Sequence, residues 1–553
     1  MPISNPEQTE QRPDCRQCVN PEQKEQNPDW WKNAVFYHIY PMSFKDSNGD
    51  GIGDIRGIID KLDYLVALGI DAVWLSPVYC SPMVDNGYDI SDYCDIDPVF
   101  GNLDDFRELL RQAHDKGIRV VMDLVMNHTS DKHPWFTESR SSVDNPKRDW
   151  YIWHTGKNGK KPNNWSTNYL EKTWHRDAIT GQYYYHSFFK EQPDLNWRNE
   201  NMKRAFFENI RFWLDMGVDG FRLDVVNLIV KDNLFRNNSL LNLKKTFNRN
   251  RPEVYDIIRE FRCLLNEYPE KTSVGEVFVL PTGDPALVAS FLGDGNDMLH
   301  MAFDFSLLYC TWNASKYYRA IQSYYDALPP DGWPCFTFSN HDMGRSLNRY
   351  GWGRHVREKA RLHAVMLVTL KGTPFIYYGD EIGMTNAHIP RKQIRDRYGK
   401  TIWPFYKGRD QGRTPMQWNA EAGGGFTDGT PWLPLHKDYY KINVENETAD
   451  QNSVLNTYRR LIALRKSMPI LQQGDIEFTK TGDNGVISYT RTLGTQQIQV
   501  VLNFSSHKRT LHLLIPDSSI LFSTHHKNDA GKENFIIQPF EGIVYTCESD
   551  KTN

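Results

Sequence analysis

No stretch of about 18 apolar residues occurs in this chain, so nothing in it reads as a membrane span. Net charge is nearly absent: 65 basic against 69 acidic side chains leave −4 over 553 residues. That balance implies no polyanion-binding surface, which sets nucleic acid aside as a partner. Cysteine is scarce and scattered, at 15, 18, 80, 94, 263, 310, 335 and 547. Only Cys15 and Cys18 have C-x-x-C spacing. Without a second pair or histidine partners this is weak support for zinc, and reduced thiols in a cytoplasmic protein are the default expectation. Residues 1–28 have no apolar centre and do not read as a secretory signal. Being polar and rich in Pro, Gln and Glu, they are expected to form a disordered leader.

What the chain does have is a repeated phrase. An amphipathic segment ends in glycine and a short apolar strand follows. Leu62, Leu65 and Val66 lead to Gly69; Leu103, Phe106, Leu109, Leu110 and Ala113, behind an N-cap at Asn102, lead to Gly117. Phe206, Ile210, Trp213 and Leu214 lead to Gly217, and a fourth copy ends at Gly372. Glycine after a last helical turn is a C-cap signal, and helices alternating with apolar strands imply a parallel sheet. Candidate strands are AVFYHIYP, DAVWLSP, RVVMDLVMN, GFRLDVV, TSVGEVF, MAFDF, CFTFSNHD and PFIYYGDE. That count predicts an α/β (β/α)8 barrel, with a doubly wound open sheet as the alternative.

Residues 29–128 and 197–470 would form the barrel domain. The overlong stretch 129–196, rich in Trp, Tyr, Asn and Gly, would be an inserted domain. From about 471 to 553 alternating strands predict a C-terminal antiparallel β-sandwich. Aromatics make up 13% of the chain, which serves either core packing or sugar stacking.

Polar residues gather at the C-terminal ends of these strands, where a barrel carries its active site. Three are acids: Asp224, Glu276 and Asp342. Such acids are costly to bury unless paired or functional. Arg222 lies two residues before Asp224, on the same face of the strand. A cation there would hold Asp224 ionised, as a nucleophile requires. Glu276, flanked by Val274, Val277 and Phe278, suits a general acid of raised pKa. Paired carboxylates of unlike ionisation suit glycoside hydrolysis. His128 and His341 are suited to donate to sugar hydroxyls.

DLVMNH, GFRLDVV, GEV and FSNHD, in that order, resemble the four sequence regions of the α-amylase family, glycoside hydrolase family 13. QPDLN, GDEIGM and GRTPMQW resemble its oligo-1,6-glucosidase branch. The resemblance implies a retaining mechanism through a glucosyl–Asp224 intermediate, with Glu276 as acid/base and Asp342 as the third carboxylate. It predicts carboxyl groups roughly 5–5.5 Å apart. It implies that Asp85 and Tyr88 grip the terminal glucose, beside Arg222, His128 and His341, and that Arg413 pairs with Asp85 to close the pocket behind one sugar. In this branch a Val after the nucleophile, here Val225, accompanies α-1,6 preference.

These residues lead to an exo-acting α-glucosidase of short α-glucosides, α-1,6-linked or mixed. The alternative is a sucrose-active hydrolase, transferase or isomerase. Sucrose isomerases carry a charged segment after the sixth strand, where this chain has YCTWN, Tyr309–Asn313. The opposing class, a non-catalytic transporter heavy chain, carries a membrane helix and often lacks the acids. The acidic loop DSNGDGIGD opens like an EF-hand, but its twelfth position is Gly57 rather than Glu. A single structural Ca²⁺ is expected on Asp46, Asn48, Asp50, Asp54 and the Ile52 carbonyl, with no organic cofactor. The expected partner is a small oligosaccharide or disaccharide, met by a monomer or homodimer without membrane attachment.

Overall fold

The computed structural model describes residues 27–167, 172–239, 246–279, 283–349, 355–479, 481, 483–511, 519–525 and 535–547. Most of the expected leader, with Cys15 and Cys18, lies outside the described residues. Eight parallel strands close into a barrel. In chain order they are β1 (Phe36–Ile39), β2 (Ala72–Leu75), β3 (Arg119–Leu124), β4 (Gly220–Leu223), β5 (Thr272–Glu276), β6 (Met301–Phe303), β7 (Cys335–Thr337) and β8 (Thr373–Tyr377). All eight expected strands are present and the open-sheet alternative is excluded. The strands are shorter than their sequence patterns, so most of the polar residues expected at their ends stand on the loops above them. The strand expected to reach Val226 stops at Leu223, because Val225 turns into the left-handed region at φ 36°.

Side chains alternate across a strand, and in this register the inward positions form two layers. Asp123 on β3 lies beside Arg222 on β4, and Val121 beside Gly220. The lower layer is apolar: Phe36, Ala72, Val121, Val274, Met301, Cys335 and Phe375 pack in one cluster with Trp30, Trp31 and Trp333. Two residues further along, the same inward face presents His38, Trp74, Asp123, Arg222 and Glu276. The barrel is therefore an apolar plug beneath a charged floor.

The helices behave as their sequences predict at three of the four glycines. Gly69 and Gly217 cap their helices at φ 92° and 109°, and Gly117 follows its helix at φ 75°. The helix over Leu103–Asp115 starts with a capping box, Asn102 accepting from the Asp105 N–H and Asp105 from the Asn102 N–H. Gly372 is the exception. The helix Val356–Thr369 ends at an extended Leu370. Arg465 donates to the carbonyls of Val368 and Gly372, and Arg491 to that of Thr369. Those guanidiniums satisfy the terminal carbonyls that a left-handed cap would otherwise serve.

Between β3 and β4 lies a three-stranded antiparallel sheet of Trp153–His154, Trp174–Arg176 and Tyr183–Tyr185. The C-terminal region contains a five-stranded antiparallel sheet and a two-stranded one, Arg509–Leu511 with Phe535–Ile537. Val486, Val501, Leu511, Phe535, Ile537 and Ile543, drawn from both sheets, form one apolar cluster. Among the described residues no helix is long and apolar enough to cross a membrane. Cys80, Cys94, Cys310, Cys335 and Cys547 are free. Cys263 is disulfide-bonded, a departure from the expectation of reduced thiols.

Candidate active site

At the C-terminal mouth of the barrel is a cavity of ≈ 280 Å³. Asp85, Tyr88, His128, Asp224, Val225, Glu276 and Asp342 all line it. Arg222, His341 and Arg413 lie behind this lining and are bonded to it. The ten substrate-directed candidates thus come together in one place.

Arg222 organises the floor. It is buried, with its guanidinium over the Trp74 ring, 4.9 Å from the centroid. Its Nη1 donates to both oxygens of Asp123, at 2.7 and 2.9 Å, and to Asp224 Oδ1 at 2.9 Å. Its Nη2 donates to Glu276 Oε2. One guanidinium therefore bridges Asp224, just past the end of β4, and Glu276, at the end of β5.

Their ionisation differs from Asp342's. Burial pushes Asp224 up to about 6, against the pull of Arg222 and with the help of Asp123. Burial, with Asp224, Asp342 and Asp123 nearby, holds Glu276 well above the usual carboxylate range. Burial would also raise Asp342, but Arg409 and Arg413 outweigh it and hold this acid below its ordinary value. Arg413 Nη2 sits 2.9 Å and Arg409 Nη1 3.2 Å from its Oδ1. The expectation that Arg222 leaves Asp224 with a lowered pKa is corrected here: desolvation at the barrel mouth exceeds the guanidinium's pull.

Around these acids the polar groups interlock. Tyr88 stacks on His341 with ring centroids 5.2 Å apart and 7° between planes. Its hydroxyl lies 2.7 Å from His341 Nε2 and donates to Asp123 Oδ2 at 3.0 Å. His128 Nε2 is 3.0 Å from both the Tyr88 carbonyl oxygen and Gln192 Nε2. Burial lowers the pKa of His128, and takes that of His341 down to about 3, so both are neutral imidazoles at physiological pH.

One expected pairing is different. The cation on Asp85 is Arg409, whose Nη2 donates to Asp85 Oδ1 at 2.6 Å. Arg413 instead holds Asp342 and donates from Nε to the His341 carbonyl. Arg409 reaches Asp85 because Asp396 fixes it, bonding its backbone N–H and its guanidinium. Gln192 closes the other flank of Asp85, Nε2 to Oδ2 at 3.3 Å. Sequence reasoning missed Arg409 and Asp123. Asp123 carried a usable signal, a lone acid inside the apolar run VVMDLV. Arg409 had none beyond its place in a long polar loop. The strand-end acids of GDEIGM stay out of the cavity: Glu381 accepts from the hydroxyls of Tyr37 and Tyr64.

The acidic loop lies outside this cavity. Asp46 accepts from the N–H groups of Asn48, Gly49 and Gly51 and from the Thr427 hydroxyl. Asp54 accepts from the Ser47 N–H and the Gly57 N–H, capping the helix Ile55–Asp60. Asn48 and Asp50 accept from the N–H two residues on. The donors are the hard oxygens calcium takes. Their carboxylates are spent on turns and a cap, and among the described residues no three His, Cys, Asp or Glu converge to hold a metal ion. The three carboxylates among the five expected donors, Asp46, Asp50 and Asp54, do not by themselves form such a cluster.

Residues 38–474 match the α-amylase catalytic-domain family model. An oligo-1,6-glucosidase of Parageobacillus thermoglucosidasius is 42% identical, over 93% of this chain and 98% of its own length. Among solved structures, an α-glucosyl transfer enzyme, XgtA, superposes with a TM-score of 0.87 at 37% identity, covering 94% of this chain and 99% of its own. The trehalulose synthase MutB from Pseudomonas mesoacidophila MX-45 does so at 0.88 and 35%, with the same coverage.

Proposed function

The chain belongs to the α-amylase family of glycoside hydrolases, and from that premise we propose a retaining, exo-acting α-glucosidase that removes single glucose units from the non-reducing ends of short α-glucosides, α-1,6-linked or mixed. In this reading Asp224 attacks the anomeric carbon while Glu276 protonates the departing oxygen. Water then attacks the glucosyl–Asp224 ester and Glu276 takes its proton back. Burial holds Glu276 well above the usual carboxylate range, as a general acid requires, while Arg222 works against burial to favour the anion of Asp224. Asp342, kept anionic by two arginines, would bind ring hydroxyls and stabilise positive charge at the transition state.

The exo reading is supported by the bonded trio Arg409, Asp85 and Gln192, of which Asp85 and Arg409 line the cavity; we read it as a wall that closes one end. A wall there leaves room for a chain end and none for a chain passing through. The test is incubation with isomaltotriose, sampled early. Isomaltose and α-glucose should appear in equal amounts, the anomer read by NMR before mutarotation. Initial β-glucose would refute retention, and internal cleavage of longer chains would refute the wall.

Val225 gives the linkage preference its physical form. Its side chain lines the cavity, and its left-handed backbone costs about 1–3 kcal/mol for a β-branched residue. Val225→Thr keeps the branch and the strain and exchanges one methyl group for a hydroxyl. The expected result is a rise in maltose over isomaltose kcat/KM of roughly 3- to 30-fold. An unchanged ratio would detach linkage preference from this residue.

Calcium on the acidic loop is part of the same proposal, supported by the oxygen donors of Asp46, Asn48, Asp50, Asp54 and Ile52. Such an ion would stiffen the loop and supply no chemistry to the cavity. Millimolar Ca²⁺ should raise the melting temperature by about 2–4 °C and EDTA should reverse it. Asp50→Ala should abolish the response while leaving kcat unaltered, and no calcium response in the parent protein would end the idea. The five free cysteines among the described residues suit a cytoplasmic protein.

A further inference from the structure

We infer that Lys231, acting through Asn127, fixes which ring nitrogen of His128 carries the proton, and that this makes His128 a donor from Nε2 to a sugar hydroxyl in the cavity. The second half of the inference rests on the α-glucosidase reading; the first half does not.

Lys231 lies on the loop after β4, seven residues beyond Asp224. The chemistry proposed above makes no use of it, yet it is buried. Its Nζ donates to Asn127 Oδ1 at 2.6 Å, pairs with Asp194 Oδ2, and sits 5.6 Å from the centre of the Tyr185 ring. Asp194 is held in turn by the Ser187 N–H at 2.7 Å and the Ser187 hydroxyl at 2.6 Å. One ammonium thus ties the loop after β3 and the inserted segment to a single point. A buried cation is costly unless it is paired and hydrogen-bonded, and here it is both.

Asn127 is fully buried and precedes His128 in the chain. An ammonium only donates, so the Asn127 amide must turn its oxygen to Lys231. That leaves Asn127 Nδ2, a donor, 3.1 Å from His128 Nδ1. Only a bare Nδ1 accepts from it. His128 is neutral, because burial lowers its pKa, so its single proton falls on Nε2. The far edge of the ring agrees, since Nε2 is 3.0 Å from the Tyr88 carbonyl oxygen, an acceptor. Gln192 Nε2, also 3.0 Å away, favours the opposite tautomer. Its orientation is set elsewhere: Nε2 reaches Asp85 Oδ2 at 3.3 Å, and Oε1 accepts the Phe189 N–H at 3.1 Å. A proton on Nε2 therefore serves two of these three neighbours of the ring, and a proton on Nδ1 serves one. Lys231 tips the balance. Without it the Asn127 amide is free to turn its oxygen toward the ring.

His128 lines the cavity, and neither Lys231 nor Asn127 does. The two are positioning residues. The Nδ1 edge of His128 is committed to Asn127, and the Nε2 edge faces Tyr88, which lines the cavity with it. A sugar hydroxyl arriving at that edge meets an N–H and accepts from it.

The test reads the proton directly. In protein labelled with ¹⁵N-histidine, the His128 signals are those missing from His128→Ala. Above neutral pH the parent should show a bare Nδ1 and a protonated Nε2. Asn127→Asp keeps the side chain's size and its contact with Lys231 but turns an acceptor toward Nδ1, so the proton should move to Nδ1. Lys231→Met combined with Asp194→Asn removes both buried charges together and should leave the proton divided between the two nitrogens. A proton on Nδ1 in the parent, or one that stays on Nε2 in both variants, overturns the inference. On isomaltose, Asn127→Asp should lower kcat/KM by about 10- to 100-fold, mostly through KM, and adding His128→Ala should cost little more. Fully additive losses would mark a merely structural fault and overturn the role in sugar binding. A parent that turns over no α-glucoside would remove the α-glucosidase reading, while the spectra still decide where the proton lies.

Discussion

Asp224→Asn is expected to keep about one part in 10⁴ or less of the turnover on isomaltose, with the fold intact. Asparagine has the shape of the acid but neither its charge nor its nucleophilicity. The fold should survive because Arg222, the cation most exposed to the loss, retains Asp123 and Glu276 as partners. Asp224→Ala sharpens the claim by opening space for a small anion. Azide entering there would displace the aglycone once, and a single displacement inverts, so the product should be a β-glucosyl azide. Glu276→Gln should behave differently. Glycosides whose leaving groups need no proton should still react with Asp224, and isomaltose should not. Substantial isomaltase activity in Asp224→Asn, measured on protein freed of wild-type carry-over, would remove this residue from the chemistry.

The acids themselves were visible in the chain, and so was the barrel that holds them, but their ionisation was not: burial outweighs Arg222 at Asp224. Glycines 69, 117 and 217 mark helix ends because a left-handed residue satisfies the last carbonyls locally. Gly372 misled for a matching reason: Arg465 and Arg491 serve those carbonyls from residues nearly a hundred or more positions away, and no local pattern encodes that. Strand ends were overextended for a related cause. GFRLDVV is apolar enough to continue, but Val225 bends out of the sheet at the mouth, and backbone strain has no compositional trace. Within the site, residues on the strands were legible because the alternation of side chains fixes which of them point inward. Asp123 fell under the same rule and was recoverable. Arg409 and Arg413 were not separable by it. They lie four residues apart on an irregular loop, and which one meets Asp85 depends on Asp396 holding Arg409 from the side. The acidic loop shows the opposite difficulty: alternating oxygens suit a cation or a ladder of turns equally well, and here the carboxylates serve the turns.

Arg222→Met should lower kcat/KM at pH 7 by about 10³-fold and shift its acid limb upward. Three buried carboxylates, Asp123, Asp224 and Glu276, share this one guanidinium, and it lowers the pKa of each. Without it, burial and mutual repulsion act alone. Asp224 then climbs from about 6, so the nucleophile is protonated at pH values where the wild type is active. The limb should move by at least about one unit. Stability should follow the same groups. Asp224 and Glu276 titrate higher in the folded protein than in the unfolded chain, so the folded state binds more protons, and stability falls as pH rises from the unfolded value near 4 through the folded values. In the variant this slope should steepen and extend to higher pH, with a loss on the order of 3–5 kcal/mol at pH 8 and much less at pH 5. Arg222→Lys separates charge from geometry. A single ammonium restores a cation and should bring the acid limb most of the way back. It cannot span two carboxylates as the planar guanidinium does, so kcat should remain depressed. An Arg222→Met protein whose acid limb stays in place would show that this cation does not govern the ionisation of Asp224, and the electrostatic account of the two acids would have to be rebuilt around desolvation alone.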